Sequence, residues 1–195
     1  MQIRDAIPDD LPAILAIHND AIANSLAIWT DEPVDLAERA AWLESHRRQG
    51  FAVLVAVDDD DDDADADDAD DAGDADCGAR ESATGEVAAD ARGHVLGYAS
   101  LGAWHAKSGF RHTVEDSIYL RPEATGRGIG RALLGALLER ARAGGYHVVV
   151  ADIEAGNAAS IRLHASFGFE LTGTVREVGT KFGRWLDLTT MRLPL

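Results

Sequence analysis

A glycine-rich segment in the middle of the chain has the residue types and the spacing that bind a pyrophosphate. Gly126, Gly128 and Gly130 precede an apolar-periodic run at 132–143, and two arginines lie between and after these glycines. The period of the run predicts a helix. Glycines let backbone N–H groups approach a ligand closely, and a helix N-terminus favours negative charge. We therefore predict that this segment binds a ligand that contains a pyrophosphate.

Two common phosphate-binding motifs do not fit this segment. A dinucleotide-binding turn has the spacing G-x-G-x-x-G after an early strand, and a nucleoside-triphosphate loop has G-x-x-x-x-G-K-[ST]. Here the spacing from Gly126 to Gly130 is G-x-G-x-G, and no lysine follows it. A ligand of another kind is therefore expected.

A second motif lies further along the chain. Asn157, Ser160 and His164 recur at helical spacing, and the segment ends in Phe167-Gly168-Phe169. Asn157 also suits the N-cap of a short helix, a role that is compatible with a ligand contact.

In this order the two motifs resemble segments of the GNAT superfamily of N-acetyltransferases. The first resembles its acetyl-CoA loop, written [QR]-x-x-G-x-[GA], with Thr125 in place of the usual Gln or Arg. The second resembles its N-x-x-[AS]-x-x-[LF]-Y-x-x-x-G-F segment, with His164 in place of the usual tyrosine. Segments at 111–120, 152–157 and 178–187 look like the branch that acetylates phosphinothricin and methionine sulfoximine.

The resemblance implies one N-acetyltransferase domain over residues 1–195 with an α/β (α+β) fold. In this fold a central mixed sheet of about six or seven strands is flanked by about four helices. The implied reaction moves acetyl from acetyl-CoA to the α-amine of a small amino acid or analogue, of the phosphinothricin, methionine sulfoximine or methionine sulfone type. A cytoplasmic enzyme that forms a homodimer is also implied.

The resemblance assigns acetyl-CoA contacts to the strand before the glycines, to the glycine segment and to the second motif. These residues are Ile118, Tyr119, Leu120, Gly126, Arg127, Gly128, Ile129, Gly130, Arg131, Asn157 and Ser160. By the same resemblance, backbone groups of Ile118 and Leu120 face the acetyl carbonyl and the pantetheine arm.

Acetyl transfer to an amine needs a base for the acceptor and an acid for the departing thiolate. Glu115 lies on the strand that leads into the glycine segment, and strand alternation puts Ser117 on the same face. We predict that Glu115 is the general base, directly or through water; the alternative is an exposed strand-end carboxylate. His164, at the tyrosine position, is the candidate acid, with a CoA-contact or structural role as the alternative.

An amino-acid acceptor also needs a cation for its carboxylate. Lys107 and Arg111 precede the Glu115 strand, and Lys181 lies in a predicted closing hairpin. With Ser117, these three residues are the predicted substrate contacts. Tryptophans that are candidates for the pocket wall are Trp29, Trp104 and Trp185.

The elements that must position these residues follow from hydrophobic periodicity. Strands are predicted at 3–7, 52–57, 94–101, 113–120, 146–153, 169–178 and 184–191. Helices are predicted at 11–22, 34–49, 132–143 and 157–167.

Most of the net charge of −16 comes from one segment. Between Asp58 and Arg92 the sequence holds 16 acidic residues, against two arginines. Large apolar residues are almost absent there, so we predict an acidic, disordered insertion at about 59–92. The spacing does not match an EF-hand loop, and Cys77, the only cysteine, excludes internal disulfides and a cysteine-rich metal site. No metal is predicted.

The remaining composition narrows the class of protein. No stretch approaches the roughly 18 apolar residues of a membrane span, and the first residues lack the apolar run of a secretory signal. We therefore predict a cytoplasmic protein with no membrane partner, and so acidic a chain disfavours nucleic acid. Two functional alternatives stay open: an acetyltransferase for protein N-termini or lysines, and a non-catalytic acyl-CoA-binding regulatory module.

Overall fold

The protein folds around one seven-stranded sheet. The structure, a computed structural model, describes residues 1–58 and 94–195. The strands are β1 (Gln2–Asp5), β2 (Val53–Val57), β3 (Val95–Ala103), β4 (Thr113–Leu120), β5 (Val148–Glu154), β6 (Glu170–Lys181) and β7 (Arg184–Pro194). The helices are α1 (Leu11–Asn24), α2 (Leu36–Gln49), α3 (Ile129–Ala143) and α4 (Ala158–Ser166). Short 3-10 turns occur at Pro8–Asp10, Ser108–Phe110 and Pro122–Ala124.

The sheet is mixed, as the sequence predicted. Its strand order is β1-β2-β3-β4-β5-β7-β6. Neighbouring strands are antiparallel except for β4 and β5, which pair in parallel. The parallel pair encloses α3 as its crossover helix, because a parallel connection must return across the face of the sheet.

Helices cover both faces of the sheet, so the core has two parts. On one face, the buried leucines of α3, Leu133, Leu134, Leu137 and Leu138, pack with strand residues such as Val114. On the other face, α1 and α2 pack against β2 and β3. Adjacent residues of β4 therefore enter different parts of the core.

Most predicted bounds differ from the observed ones by a few residues, and for β1 and β6 the structure shows the cause. β1 ends at Asp5 rather than at residue 7, because Pro8 starts a 3-10 turn and the Ile7 N–H donates to Asp10 Oδ2 (2.8 Å). β6 continues to Lys181, because two irregularities in its pairing with β7 carry the strand past residue 178.

The predicted disordered insertion lies outside the described residues. At its borders, the Asp58 N–H donates to the His94 carbonyl (2.9 Å) and Val57 pairs with Val95. Asp58 and His94, the described residues that border the insertion, therefore lie next to each other at the ends of β2 and β3. In the described ranges, no helix is long and apolar enough to cross a membrane.

Candidate active site

The site begins where β4 and β5 separate. Their parallel pairing joins Thr113–Glu115 to Val148–Val150, whereas the strands themselves continue to Leu120 and Glu154. Beyond Glu115, the part of the chain that the structure describes contains no further pairing between them. A wedge therefore opens in the sheet, and β4 presents main-chain groups to it that an extended ligand can bind, as a strand would.

A cavity of about 140 Å³ lies in this wedge. This volume is below the usual range for a whole ligand and suits reacting groups. Its walls come from β4, β5, α4 and the loop after α1. The lining residues are Ala27, Glu115, Asp116, Ser117, Ile118, Tyr119, Ala151, Asp152, Ile153, Glu154, Asn157, Ser160 and His164. The sequence-predicted residues Glu115, Ser117, Ile118, Tyr119, Asn157, Ser160 and His164 are thus brought together.

The glycine segment lies between β4 and the N-terminus of α3. Gly126 and Gly128 have φ values of 76° and 82°, a left-handed conformation that side chains disfavour. A Cβ at either position would meet no protein atom within 4 Å, so both glycines border open space. The free N–H groups of the first turn of α3 begin directly afterwards. This is the geometry of an anion site at a helix N-terminus.

The other predicted residues of this segment surround that open space or anchor it. Arg127 is exposed and pairs with Asp58 (Nη2–Oδ2, 3.2 Å). Arg131 donates to Ser166 Oγ (2.9 Å) and lies over the Phe167 ring. Ile129 is buried in the core.

Tight packing joins α3 to the end of β4 and to α4. A Cβ on Gly130 would lie 3.6 Å from the side chains of both Leu120 and Leu163. Gly130 therefore lets α3 start close to the strand, and Leu120 acts here through its packing. The anion site is held against the wedge by this contact.

Glu115 has an unusual electrostatic environment. Burial, and to a lesser extent the nearby charges of Asp152 and Asp116, together raise its pKa from 4.5 to about 7. A carboxyl group with a pKa near neutrality can take a proton from an ammonium group and release it to solvent at physiological pH.

His164 is buried in the last turn of α4 and has polar partners on both ring nitrogens. Its Nδ1 lies 2.8 Å from the Ser160 carbonyl oxygen and 3.3 Å from Ser160 Oγ. Its Nε2 lies 3.0 Å from Asp116 Oδ2. Burial lowers the pKa of His164, but the hydrogen bond and charge of Asp116 outweigh burial, so the pKa is raised above 6.5.

The predicted cations are not among the residues that line the cavity. Lys107 and Arg111 are exposed and flank the turn Ser108–Phe110. Lys181 is buried, and its Nζ donates to the Ile28 carbonyl (2.5 Å). Lys181 therefore ties the β6–β7 hairpin to the loop after α1.

The three tryptophans occupy different environments. Trp104 donates from Nε1 to Asp152 Oδ2 (3.2 Å), which joins the loop after β3 to the cavity wall. Trp29 packs against Gly179, where a Cβ would clash with its ring. Trp185 is 68% exposed on the β6–β7 hairpin.

The sequence analysis missed three carboxylates of the cavity, Asp116, Asp152 and Glu154. A signal for Asp116 was present in the sequence. It alternates with Val114 and Ile118 on the core-facing side of β4, and a buried carboxylate there requires a polar partner. That partner, His164, lies on another element, so strand alternation alone does not identify it.

No group of three or more His, Cys, Asp or Glu side chains is arranged to hold a metal ion among residues 1–58 and 94–195.

Comparison with known proteins identifies acetyltransferases as relatives of this chain. A model of the acetyltransferase (GNAT) family matches residues 54–169. The L-methionine sulfoximine/L-methionine sulfone acetyltransferase of Pseudomonas paraeruginosa is 50% identical over 193 residues, which cover 99% of this chain and 94% of that protein.

Two solved structures resemble the whole described fold. A ribosomal-protein-alanine N-acetyltransferase from Brucella melitensis is 46% identical, with a TM-score of 0.82 and coverage of 100% of both chains. A phosphinothricin acetyltransferase from Sinorhizobium meliloti, in complex with acetyl-CoA, is 34% identical, with a TM-score of 0.81 over 100% of this chain and 88% of that chain. The fold that the sequence predicted is confirmed.

Proposed function

The chain belongs to the acetyltransferase (GNAT) family, and from that premise we propose that it acetylates the α-amine of a small amino acid or analogue. The acetyl donor is acetyl-CoA, and the acceptor is of the methionine sulfoximine, methionine sulfone or phosphinothricin type. The relative from Pseudomonas paraeruginosa, 50% identical over nearly the whole chain, supports this acceptor class. The observation that carries the proposal is Glu115, a carboxyl group with a pKa of about 7 in the wedge between β4 and β5.

The chemistry assigned to Glu115 follows from its environment. An amino acid arrives as an ammonium ion, and only its neutral amine can attack a thioester. Near neutral pH Glu115 is partly ionised and takes the proton, directly or through water. The four cavity carboxylates, Glu115, Asp116, Asp152 and Glu154, favour entry of the cationic amine.

The residues around the glycine segment fit acetyl-CoA. When bound, it supplies an activated acetyl group as a thioester. The left-handed turn at Gly126 and Gly128 and the N-terminus of α3 would hold the pyrophosphate, with Arg127 and Arg131 nearby. Arg127, which pairs with Asp58 in this structure, would pair with a phosphate instead when the ligand is bound.

The acceptor carboxylate needs a cation that the described cavity wall lacks. Lys107 and Arg111 are the proposed contacts, because their loop is joined to the cavity through Trp104 and Asp152. Ser117 is the proposed polar contact within the cavity. Lys181 acts in this proposal by supporting the loop that contains Ala27, a residue of the cavity wall.

The test is acetyl-CoA-dependent thiol release with a panel of acceptors. The panel contains methionine sulfoximine, methionine sulfone, phosphinothricin and peptides with free N-termini. Turnover of the small acceptors is expected, and Glu115→Gln is expected to lower kcat by about 10²-fold or more. Glu170→Gln, which removes an exposed carboxylate on β6, is the matched control and should keep full activity. Unchanged turnover in Glu115→Gln would contradict the assigned base. Binding of acetyl-CoA without turnover of any acceptor would favour a non-catalytic acyl-CoA-binding module.

A second candidate function is acetylation of protein N-termini. The similarity to the Brucella melitensis ribosomal-protein-alanine N-acetyltransferase favours it, as does an acidic cavity that suits any cationic amine. Turnover of peptides without turnover of the small acceptors would select this alternative.

We further propose that the enzyme is a cytoplasmic homodimer without nucleic-acid or membrane partners. The net charge of −16 opposes binding to a phosphate backbone or to an anionic lipid surface.

A further inference from the structure

Asp116 and His164 form a buried polar pair on the α4 side of the wedge. Their side chains are 2% and 4% exposed, and Nε2 lies 3.0 Å from Oδ2. The second oxygen of Asp116, Oδ1, is buried without a hydrogen-bond partner among the described residues. Burying a carboxylate with one unsatisfied oxygen costs free energy, so an explanation other than stability is required.

The partners of the imidazole fix where its protons lie. The carbonyl oxygen of Ser160, 2.8 Å from Nδ1, can only accept, so Nδ1 carries a hydrogen and donates it. Nε2 faces a carboxyl oxygen, so one further proton lies between Nε2 and Oδ2. The pair therefore holds the proton content of an imidazolium beside a carboxylate.

We propose that Asp116 is the positioning residue that keeps His164 doubly protonated and turned with Nδ1 toward Ser160, so that His164 supplies the proton for the departing thiolate. This inference rests on the proposed acetyl transfer. It assigns to Asp116 an action through His164 and no direct contact with the reacting atoms.

The geometry gives a proton path with Ser160 as its last member. Ser160 lines the cavity, and its Oγ lies 3.3 Å from His164 Nδ1. During transfer the acceptor nitrogen forms a bond to the acetyl carbon, the C–S bond breaks, and its electron pair stays on sulfur. The Ser160 hydroxyl gives its proton to sulfur and takes the Nδ1 proton of His164. Glu115 takes the two protons that the ammonium nitrogen loses, one before and one after the N–C bond forms, and passes each in turn to solvent. Because His164 recovers one proton from solvent, the net release is one proton for each ammonium ion acetylated.

After the transfer, Asp116 still holds His164 in a defined tautomer. The imidazole is then neutral with its remaining hydrogen on Nε2, and this N–H donates to Asp116 Oδ2. Nδ1 is left free to recover a proton through Ser160. An asparagine at position 116 would reverse this arrangement, because its NH₂ group would donate to Nε2 and leave the single hydrogen on Nδ1.

Other titratable groups line the same cavity as this pair. Glu115 and Tyr119 lie on β4, and Asp152 and Glu154 lie on β5 across the cavity. These carboxylates are retained in an Asp116→Asn variant, so a change in His164 reports the loss of Asp116 itself.

The direct test is nitrogen-15 NMR of His164 in histidine-labelled full-length protein, with His164→Asn to assign the signal. In the wild type both ring nitrogens are expected to carry protons beyond pH 6.5. In Asp116→Asn the Nε2 proton should be lost, with the His164 titration about one pH unit or more lower. Glu170→Gln should leave the spectrum unchanged. A wild-type His164 that is already neutral at pH 6.5 would overturn the proposal, and this readout needs no turnover.

Kinetics give the second readout. In Asp116→Asn, kcat near pH 8 is expected to fall about 10- to 100-fold, with the KM for acetyl-CoA nearly unchanged and the alkaline limb at lower pH. A loss that is equal at all pH values would indicate a structural role only and would contradict the proposal. Absence of wild-type turnover on the whole acceptor panel would refute the proposed function instead, and the NMR result would stand independently.

Discussion

Glu115 is a residue whose placement for chemistry acts against stability. It lies on β4 near two other cavity carboxylates, and burial together with the charges of Asp152 and Asp116 raises its pKa to about 7. Ionisation of such a group is disfavoured in the folded state, whereas the unfolded chain ionises it freely. The unfolded chain therefore releases this proton at a lower pH than the folded protein does. Between these two pH values the free energy of unfolding falls as the pH rises.

The expected result is a pH-dependent stabilisation by Glu115→Gln. Below about pH 4.5 both states of the wild type are protonated, and stability falls as pH rises to about 7 and then levels off. A pKa near 7 instead of 4.5 corresponds to about 3 kcal/mol, and water access to this half-buried group reduces it to roughly 2 kcal/mol. Urea unfolding at about pH 4.5 and about pH 8.5 should show the variant more stable by this amount only at the higher pH. An equal stability difference between variant and wild type at both pH values would contradict this prediction. The control Glu170→Gln should not change the pH dependence of stability.

The sequence predicted much of the cavity at this scale, and the reason is local. Glu115, Ser117 and Tyr119 follow from strand alternation, and Ser160 and His164 from one helical turn. Asp116 and Asp152 depend on contacts between elements distant in the chain, the first with α4 and the second with Trp104. A single sequence does not reveal such contacts, so the pairing of Asp116 with His164 was found only in the structure. The catalytic roles themselves stay predictions.

At the scale of elements, the turn before α3 is the proposed site of donor binding. The left-handed conformation at Gly128 ends the turn that follows β4 and starts a helix whose first N–H groups are free. The chain contains a natural comparison in Gly145, which follows α3 with a φ of 71° and also has no protein atom within 4 Å of a Cβ position. The two glycines have a similar left-handed backbone conformation but lie at opposite ends of one helix.

Gly128→Ala is therefore expected to raise the KM for acetyl-CoA by about tenfold or more, while Gly145→Ala leaves it unchanged. Both variants should lose roughly 1–2 kcal/mol of unfolding free energy, because each puts a side chain in the left-handed region. For both variants, steady-state kinetics measures the change in the KM for acetyl-CoA, and urea unfolding measures the loss of unfolding free energy. An equal rise of KM in both variants would mean that the glycine segment acts through stability alone.

Periodicity located every strand and helix of the described fold but not every boundary. The strands that the sequence predicted at 113–120 and the helix at 157–167 match β4 and α4 closely. β6 was predicted to end at 178, yet it continues because register shifts between Val175 and Gly179 let it curve and keep pairing with β7. Such irregularities depend on the partner strand, and a periodicity of two does not describe them.

At the scale of the whole molecule, one surface lacks a partner. Among the described residues, the exposed large apolar side chains are Met1, Leu36 and five members of the β6–β7 hairpin. The five, which we call the hairpin face, are Leu171, Val175, Val178, Phe182 and Trp185. β6 is also an edge strand, and proteins cover long apolar edges to prevent uncontrolled association.

A second copy of the chain is the expected partner of the hairpin face, in line with the proposed homodimer. Trp185→Asp should weaken the dimer about thirtyfold or more, because tryptophans at interface centres contribute most of the binding energy. Leu36→Asp is the matched control, since it puts the same charge on an exposed leucine at the start of α2. Sedimentation over a range of concentrations measures both; a wild type that stays monomeric, or dissociation in Leu36→Asp alone, would contradict this interface. Because Lys181 and Gly179 join this hairpin to the loop beside the cavity, the dissociated variant should also bind the acceptor more weakly, which connects the assembly to the site.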